Sequence, residues 1–181
     1  MNPISIIEEY FEKNSYGYKI IVTHSRLVAE KAVNIAKKFF YLNCDINFIK
    51  DAAMLHDIGT CFVNAHKIGC FGKEPYIVHG YLGRKILDER NLPKHALVCE
   101  RHVGTGLSAE YIKEKKLPLP ARDMLPISVE ERIISYSDKF FSKSHDLFSE
   151  ALVENVRAEI AQFGDNDLKR FDKWHEIFGG A

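Results

Sequence analysis

Residues 49–60 read Ile-Lys-Asp-Ala-Ala-Met-Leu-His-Asp-Ile-Gly-Thr. Ile49, Ala52, Ala53 and His56 recur at helical spacing and share one face. The spacing predicts a helix over 45–58, with Gly59 as its stop. Its apolar side ends in two polar residues, His56 and Asp57. A buried aspartate there is costly unless it is paired or coordinated. The stretch therefore declares a helix and sets two metal-capable side chains where aliphatic ones are expected.

Working outward, the helical period continues almost throughout. Upstream, Ile20, His24, Val28, Ala32 and Ala36 recur every four residues, with Leu27, Ile35 and Phe39 alongside. This predicts a helix over 17–40 with His24 on its core face. A first helix over 2–14 opens at the cap residue Asn2 and at Pro3. Downstream, residues 60–74 have no period and contain Gly69 and Gly72, so they read as a loop. Helices follow over 75–90, 93–102 and 108–116. Pro118, Pro120 and Pro126 exclude regular helix from 117–127. Ser128 to Glu131 reads as a capping box opening a helix to about residue 143, with Ile134, Asp138 and Phe141 on one face. Two more helices fit 150–163 and 165–178, divided by Gly164. No convincing strand pattern competes, so the fold class is all-α. One domain over 1–181 is expected, with its motif region at about 23–143 and C-terminal helices at about 150–178.

The bulk properties narrow the function. The 181 residues are 46% hydrophobic, enough for a sizeable core. Lys plus Arg total 25 and Asp plus Glu total 25, so there is no basic excess for a large nucleic-acid surface. A local basic pocket for one small anion stays compatible with that balance. No apolar run is long enough to span a bilayer, and the N-terminus lacks the basic start of a secretory signal. The expectation is a cytoplasmic protein. Cys44, Cys61, Cys70 and Cys99 form no CxxC pair and read as free thiols.

His24, taken alone, fits a core histidine bonded to a carbonyl. Asp138 follows Ile133-Ile134 and precedes Phe140-Phe141. On an inner face it needs a cation, donors or a buried salt bridge. Together, His24, His56-Asp57 and Asp138 follow an order that resembles the H…HD…D pattern of the HD phosphohydrolase superfamily. The run His56-Asp57-Ile58-Gly59 is similar to its HDIG variant. His79-Gly80, Arg101-His102, the stretch from Gly104 through Pro118 and Arg122-Asp123 to Ser137-Asp138-Lys139 resemble a group of HDIG hydrolases of archaea and bacteria. The resemblance covers about 23–143.

The resemblance implies an HD-domain helical bundle in which His24, His56, Asp57 and Asp138 hold a divalent metal. Mixed imidazole and carboxylate ligands suit Fe, Mn, Zn, Ni or Co. It implies hydrolysis of a phosphoester by a metal-bound hydroxide attacking phosphorus, with Asp57, His79 and His102 as the catalytic set. An extended H…HD…H…H…D pattern implies two ions: His24, His56 and Asp138 on one, His79 and His102 on the other, and Asp57 bridging. In a single-ion alternative, His79 and His102 contact only the substrate phosphate.

The sequence departs from this pattern at Thr60, where related motifs often carry lysine (HDIGK). Lys67, Lys73, Arg101, Arg122 and Lys143 remain as candidate phosphate contacts. A zinc site from Cys61, His66 and Cys70 lacks regular spacing and a fourth ligand. His95, His145 and His175 read as surface residues, and Trp174 as packing. The irregular segments 60–74 and 117–127 are expected to flank the site. The leading reading is hydrolysis of a small phosphorylated substrate, such as a nucleotide. A di-iron oxygenase of the same fold and a non-catalytic nucleotide- or metal-sensing module are the alternatives.

Overall fold

The structure is a computed structural model that describes residues 1–144 and 146–179. His145, expected at the surface, lies outside the described residues. The chain is all-α apart from a small two-stranded sheet. Helix α1 spans Pro3–Ile7 and α2 spans Tyr16–Lys38. The hydroxyl of Ser15 caps α2 by accepting from the Tyr18 amide at 3.1 Å. Helix α3 spans Ile46–Leu55 and is capped by Asp45, which accepts from the Phe48 amide at 2.9 Å. Helices α4 (His79–Glu89) and α5 (Pro93–Arg101) pack on each other. Helix α6 spans Ala109–Glu114, α7 Val129–Asp138, α8 Val153–Ala161 and α9 Asp165–Phe178.

The amphipathic stripe of α2 lies against α3 and α7, and α5 closes on both of those. Ile21, Ile35, Ile49, Leu55, Tyr136 and Phe171 are among the fully buried side chains. Each such aliphatic or aromatic group contributes roughly 1.5–3 kcal/mol on burial. Trp174 is buried in this core, as packing.

Several expected boundaries shift. The first helix stops at Ile7, not near Asn14. A turn carries Phe11 into the core, and Asn14 takes a left-handed φ of 68° that no helix continues through. Helix α3 ends at Leu55, short of Ile58, and Gly59 is not its stop: Gly59 lies inside a 3-10 turn over Ile58–Phe62. A Cβ at Gly59 would run into the His79 carbonyl oxygen and the Gly83 amide. The glycine is there so that this turn can lie directly on α4.

The 60–74 segment is not a featureless loop. It forms a hairpin in which β1 (Asn64–Ala65) pairs antiparallel with β2 (Cys70–Phe71). Gly69, at φ +73°, closes the 3-10 turn between them. Two residues per strand are too few to show a period in the sequence. Helix α4 begins at His79 rather than Pro75, behind a 3-10 turn over Tyr76–Val78. Helix α7 stops at Asp138 rather than 143. There the amides of Phe140 and Phe141 bond back only three residues, to Ser137 and Asp138. This tightened geometry unwinds the helix. The capping box is half of what the sequence suggests: Ser128 Oγ accepts from the Glu131 amide, but Glu131 reaches the Ile127 amide instead of Ser128.

Candidate metal centre

His24 projects from the middle of α2. The other metal-capable residues sit at element ends: His56 caps the C-terminus of α3, His102 caps that of α5, and Asp138 is the last residue of α7. Three helix C-termini, each carrying partial negative charge, thus meet at one place, which favours a cation. Asp57 follows His56 at the head of the 3-10 turn, and His79 opens α4. All six side chains are at most 7% exposed.

The ligand atoms converge in two groups. His24 Nε2 lies 2.9 Å from Asp138 Oδ1, 3.3 Å from His56 Nε2 and 3.3 Å from Asp57 Oδ2. His56 Nε2 lies 3.2 Å from Asp57 Oδ2 and 3.4 Å from Asp138 Oδ1. On the other side of the same carboxylate, Asp57 Oδ1 is 3.3 Å from His79 Nε2 and 3.4 Å from His102 Nε2, which are 3.0 Å apart. Asp57 belongs to both groups, one oxygen to each.

Hydrogen bonding assigns the tautomers. His56 Nδ1 donates to the Ala53 carbonyl at 2.6 Å, His79 Nδ1 to Tyr76 at 2.7 Å and His102 Nδ1 to Cys99 at 2.7 Å. Each brace runs back three residues. In the neutral imidazole, a proton on Nδ1 leaves only a lone pair on Nε2. The short Nε2–Nε2 approach of His79 and His102 then sets lone pair against lone pair, which no hydrogen bond relieves. Neither Asp57 oxygen has an aligned hydrogen-bond donor among the described residues, and both are buried. Edges of about 3.0–3.4 Å are what ligand atoms show when each is about 2.0–2.2 Å from a shared ion. The donor set fits divalent metal, in either or both groups.

Local charge follows the same geometry. Burial pushes His102 down to about 3. It also pushes His24 down to about 4, with the Lys143 ammonium adding to the effect. Burial opposes charge on His56 too, but the Asp57 and Asp138 carboxylates outweigh it and raise that imidazole to about 9. Burial alone would raise both carboxyls. Lys143 beside Asp57, and Lys139 with Lys143 beside Asp138, reverse this and hold both well below the usual range.

The structure brings His24, His56, Asp57, His79, His102 and Asp138 together. It sorts the candidate cations differently from the sequence. Arg122 and Arg84 are bound to the carboxylate of Glu100, itself 1% exposed, and Arg101 pairs with Glu131. Those pairs tie helices and segments together, so Arg101 and Arg122 are not free for phosphate. Lys67 and Lys73 are exposed on the hairpin. Lys143 alone of the five reaches the centre, with Nζ 2.7 Å from Asp57 Oδ2 and 4.0 Å from Asp138 Oδ1. Sequence reasoning missed Lys139, whose ammonium lies 2.7 Å from Asp138 Oδ2 and donates to the His102 carbonyl at 3.2 Å. It also missed Tyr76, whose ring lies on that of His79 at 4.6 Å between centroids. Tyr76 stands three residues before His79, as Ala53 does before His56 and Cys99 before His102, and that spacing was the available signal.

Other expectations resolve as follows. The four cysteines are free thiols. His175 is half-buried rather than on the surface: the Tyr136 hydroxyl lies 2.8 Å from its Nδ1, and its ring stacks on Phe171. His95 is half-buried against the Phe48 ring. Hairpin residues 64–68 border the cavity that adjoins the centre, and none of that cavity's lining comes from 117–127. The latter segment pairs with Leu107 through Met124. Among the described residues, no helix is long and apolar enough to cross a membrane.

The HD-domain sequence profile matches residues 21–142, a span that contains His24, His56, Asp57, His79, His102 and Asp138. The chain belongs to the HD-domain family. Among its relatives is an uncharacterized protein of Methanocaldococcus jannaschii, 34% identical over 157 residues, covering 84% of this chain and 76% of that protein. A tRNA (cytidine(56)-2'-O)-methyltransferase of Thermoplasma volcanium is 32% identical over 138 residues, which is 76% of this chain but 36% of the relative. The corresponding methyltransferase of Picrophilus torridus is 30% identical over 165 residues, 91% of this chain and 43% of the relative. The chain thus spans less than half the length of either methyltransferase. In three dimensions it resembles the HD domain of the Listeria monocytogenes phosphodiesterase PgpH, with a TM-score of 0.53, 17% identity, and 98% and 97% of the two chains covered. The same domain in complex with cyclic-di-AMP gives a TM-score of 0.54 at 18% identity, covering 97% and 94%.

Proposed function

We propose that the chain is a metal-dependent phosphohydrolase acting on a small phosphoester. The observation that carries this is the pair of buried ligand groups that share Asp57, one carboxylate oxygen facing each. His24, His56 and Asp138 would hold one divalent ion, His79 and His102 a second, with one Asp57 oxygen on each. Ions so held supply Lewis-acid polarisation of a phosphoryl oxygen and acidify water near phosphorus. The chain's own residues set the geometry. The three carbonyl braces lock the imidazole rings, so their lone pairs stay aimed without reorganisation. Asp57, held anionic, and His79 and His102 on its second oxygen are the groups that would act on a bound ester. The surrounding helices exclude bulk water, which strengthens every charge interaction inside.

Charge supports an anionic substrate. Without metal, two carboxylates face two lysine ammoniums and roughly balance. Each dication adds positive charge that nothing buried offsets, and a phosphate ester would supply the missing negative charge. The neutral whole-chain balance favours a small ester over a polymer.

The test is metal analysis of protein purified without added metal, then a panel of phosphomonoesters, nucleotides and cyclic dinucleotides. Because a domain of this fold binds cyclic-di-AMP, a phosphodiester belongs in that panel. Metal-stimulated phosphate or nucleotide release is expected. Two irons with O₂ consumption and no ester cleavage would establish the oxygenase alternative, and metal binding with no turnover would establish the sensing one.

A further inference from the structure

Lys143 is a long cation drawn inward. It lies five residues beyond the end of α7, on chain that has left the helix, and its side chain is only 13% exposed. Burying an ammonium is costly, and the contact with Asp57 offsets it. Its ammonium reaches Asp57 without hydrogen-bond alignment, so the contact is one of charge and not of fixed direction. The same residue lines a cavity of about 530 Å³, together with Asn64, His66, Lys67, Tyr76 and Ser144. That volume lies in the range of small-molecule sites. Among the described residues, Lys143 is the cation that both touches Asp57 and faces this cavity. Lys67 lines the cavity without reaching the centre. Lys139 reaches the centre but is spent on Asp138 and the His102 carbonyl.

We propose that Lys143 anchors the phosphoryl group of the substrate, at the junction of the metal centre and this cavity. The proposal rests on the phosphohydrolase reading and adds the residue that reads the phosphate. Once cations neutralise Asp57, the Lys143 ammonium loses its buried counter-charge and turns to the next anion within reach. The remainder of the ester then lies along Tyr76 and His66, whose aromatic side chains face the cavity beside the phosphate end. The Thr60 hydroxyl is buried and turned back to the Asp57 carbonyl at 2.8 Å.

The test is calorimetric titration of inorganic phosphate into manganese-loaded protein, with the metal content of each sample counted. Lys143→Met is expected to keep the wild-type metal count and to weaken phosphate binding by about tenfold or more, the loss expected when a hydrogen bond to a charged group disappears. Lys143→Arg should keep most of the affinity, and Lys73→Met, on the exposed hairpin, should change nothing. Lys143→Gln keeps a donor for Asp57 and separates anchoring from support of the centre. If both Met and Gln variants lose metal, Lys143 is a structural support and the anchor is overturned. If they keep metal and bind phosphate as tightly as wild type, the anchor is overturned while the phosphohydrolase reading stands. If wild-type protein takes up no metal, or takes it up and binds no phosphate, the reading of the centre fails and the anchor with it.

Discussion

At Asp57, one oxygen meets His24 and His56 and the other meets His79 and His102, all within 3.4 Å. No other residue of the centre is shared in this way. Asp57→Asn should therefore empty both groups, because an amide brings no charge to offset two dications. Mass-spectrometric metal counting should show near-total loss, and retention of a full ion in the variant would contradict the bridge. His102→Ala should remove mainly the second ion, since His24, His56 and Asp138 remain. If two ions clamp the reacting oxygens, the rate should fall on the order of a thousandfold. Should wild-type protein saturate at one ion and His102→Ala leave that count unchanged, His79 and His102 would be assigned to phosphate contact instead.

At the scale of elements, the centre depends on how helices end. Gly59 lets the Ile58–Phe62 turn touch α4 at His79 and Gly83. Gly59→Ala would force the two backbones apart. Overpacking of this kind costs typically 1–3 kcal/mol. Because the displaced atoms belong to His79, the second ion should weaken more than the first. Urea midpoints combined with metal titration would show this; a variant with wild-type stability and affinity would mean the close approach is dispensable. The unwinding after Asp138 matters in the same way, for had α7 continued, Lys143 would have followed the helix axis instead of returning to Asp57.

Across the whole molecule, metal and fold are linked. Ligands from α2, α3, α4, α5 and α7 meet in one place, so an ion held there binds only the folded chain. At a free metal concentration a hundredfold above its dissociation constant, it should add about 2.7 kcal/mol of stability. For a chain of this size that is roughly 5–10 °C in melting temperature. Stripping the protein with a chelator and adding back manganese or zinc while following helicity by circular dichroism would read the shift. A midpoint insensitive to both would argue that no ion occupies the centre.

Much of this could be read along the chain. His24, His56 and Asp138 stood out because a polar residue on an apolar helical face is a local anomaly, visible at a spacing of three or four residues. The Ser128 cap acts over three residues and was legible at the start of α7, and the periodicity placed the starts of α2 and α3 within a residue of where they fall. The HD order carried the list of six metal-capable residues. What the tertiary structure alone decided is which charges meet. Arg122 goes to Glu100 and Lys143 to Asp57 across 22 and 86 residues of chain. Both lysines and arginines look alike on a sequence, since a long flexible side chain takes its partner from whatever the fold sets beside it. The hairpin at 64–71 and the end of α7 escaped for a related reason. Their backbone geometry is set by contacts with distant elements, at Gly17 for the hairpin turn and at Asp57 for Lys143, and no local period records a contact of that kind.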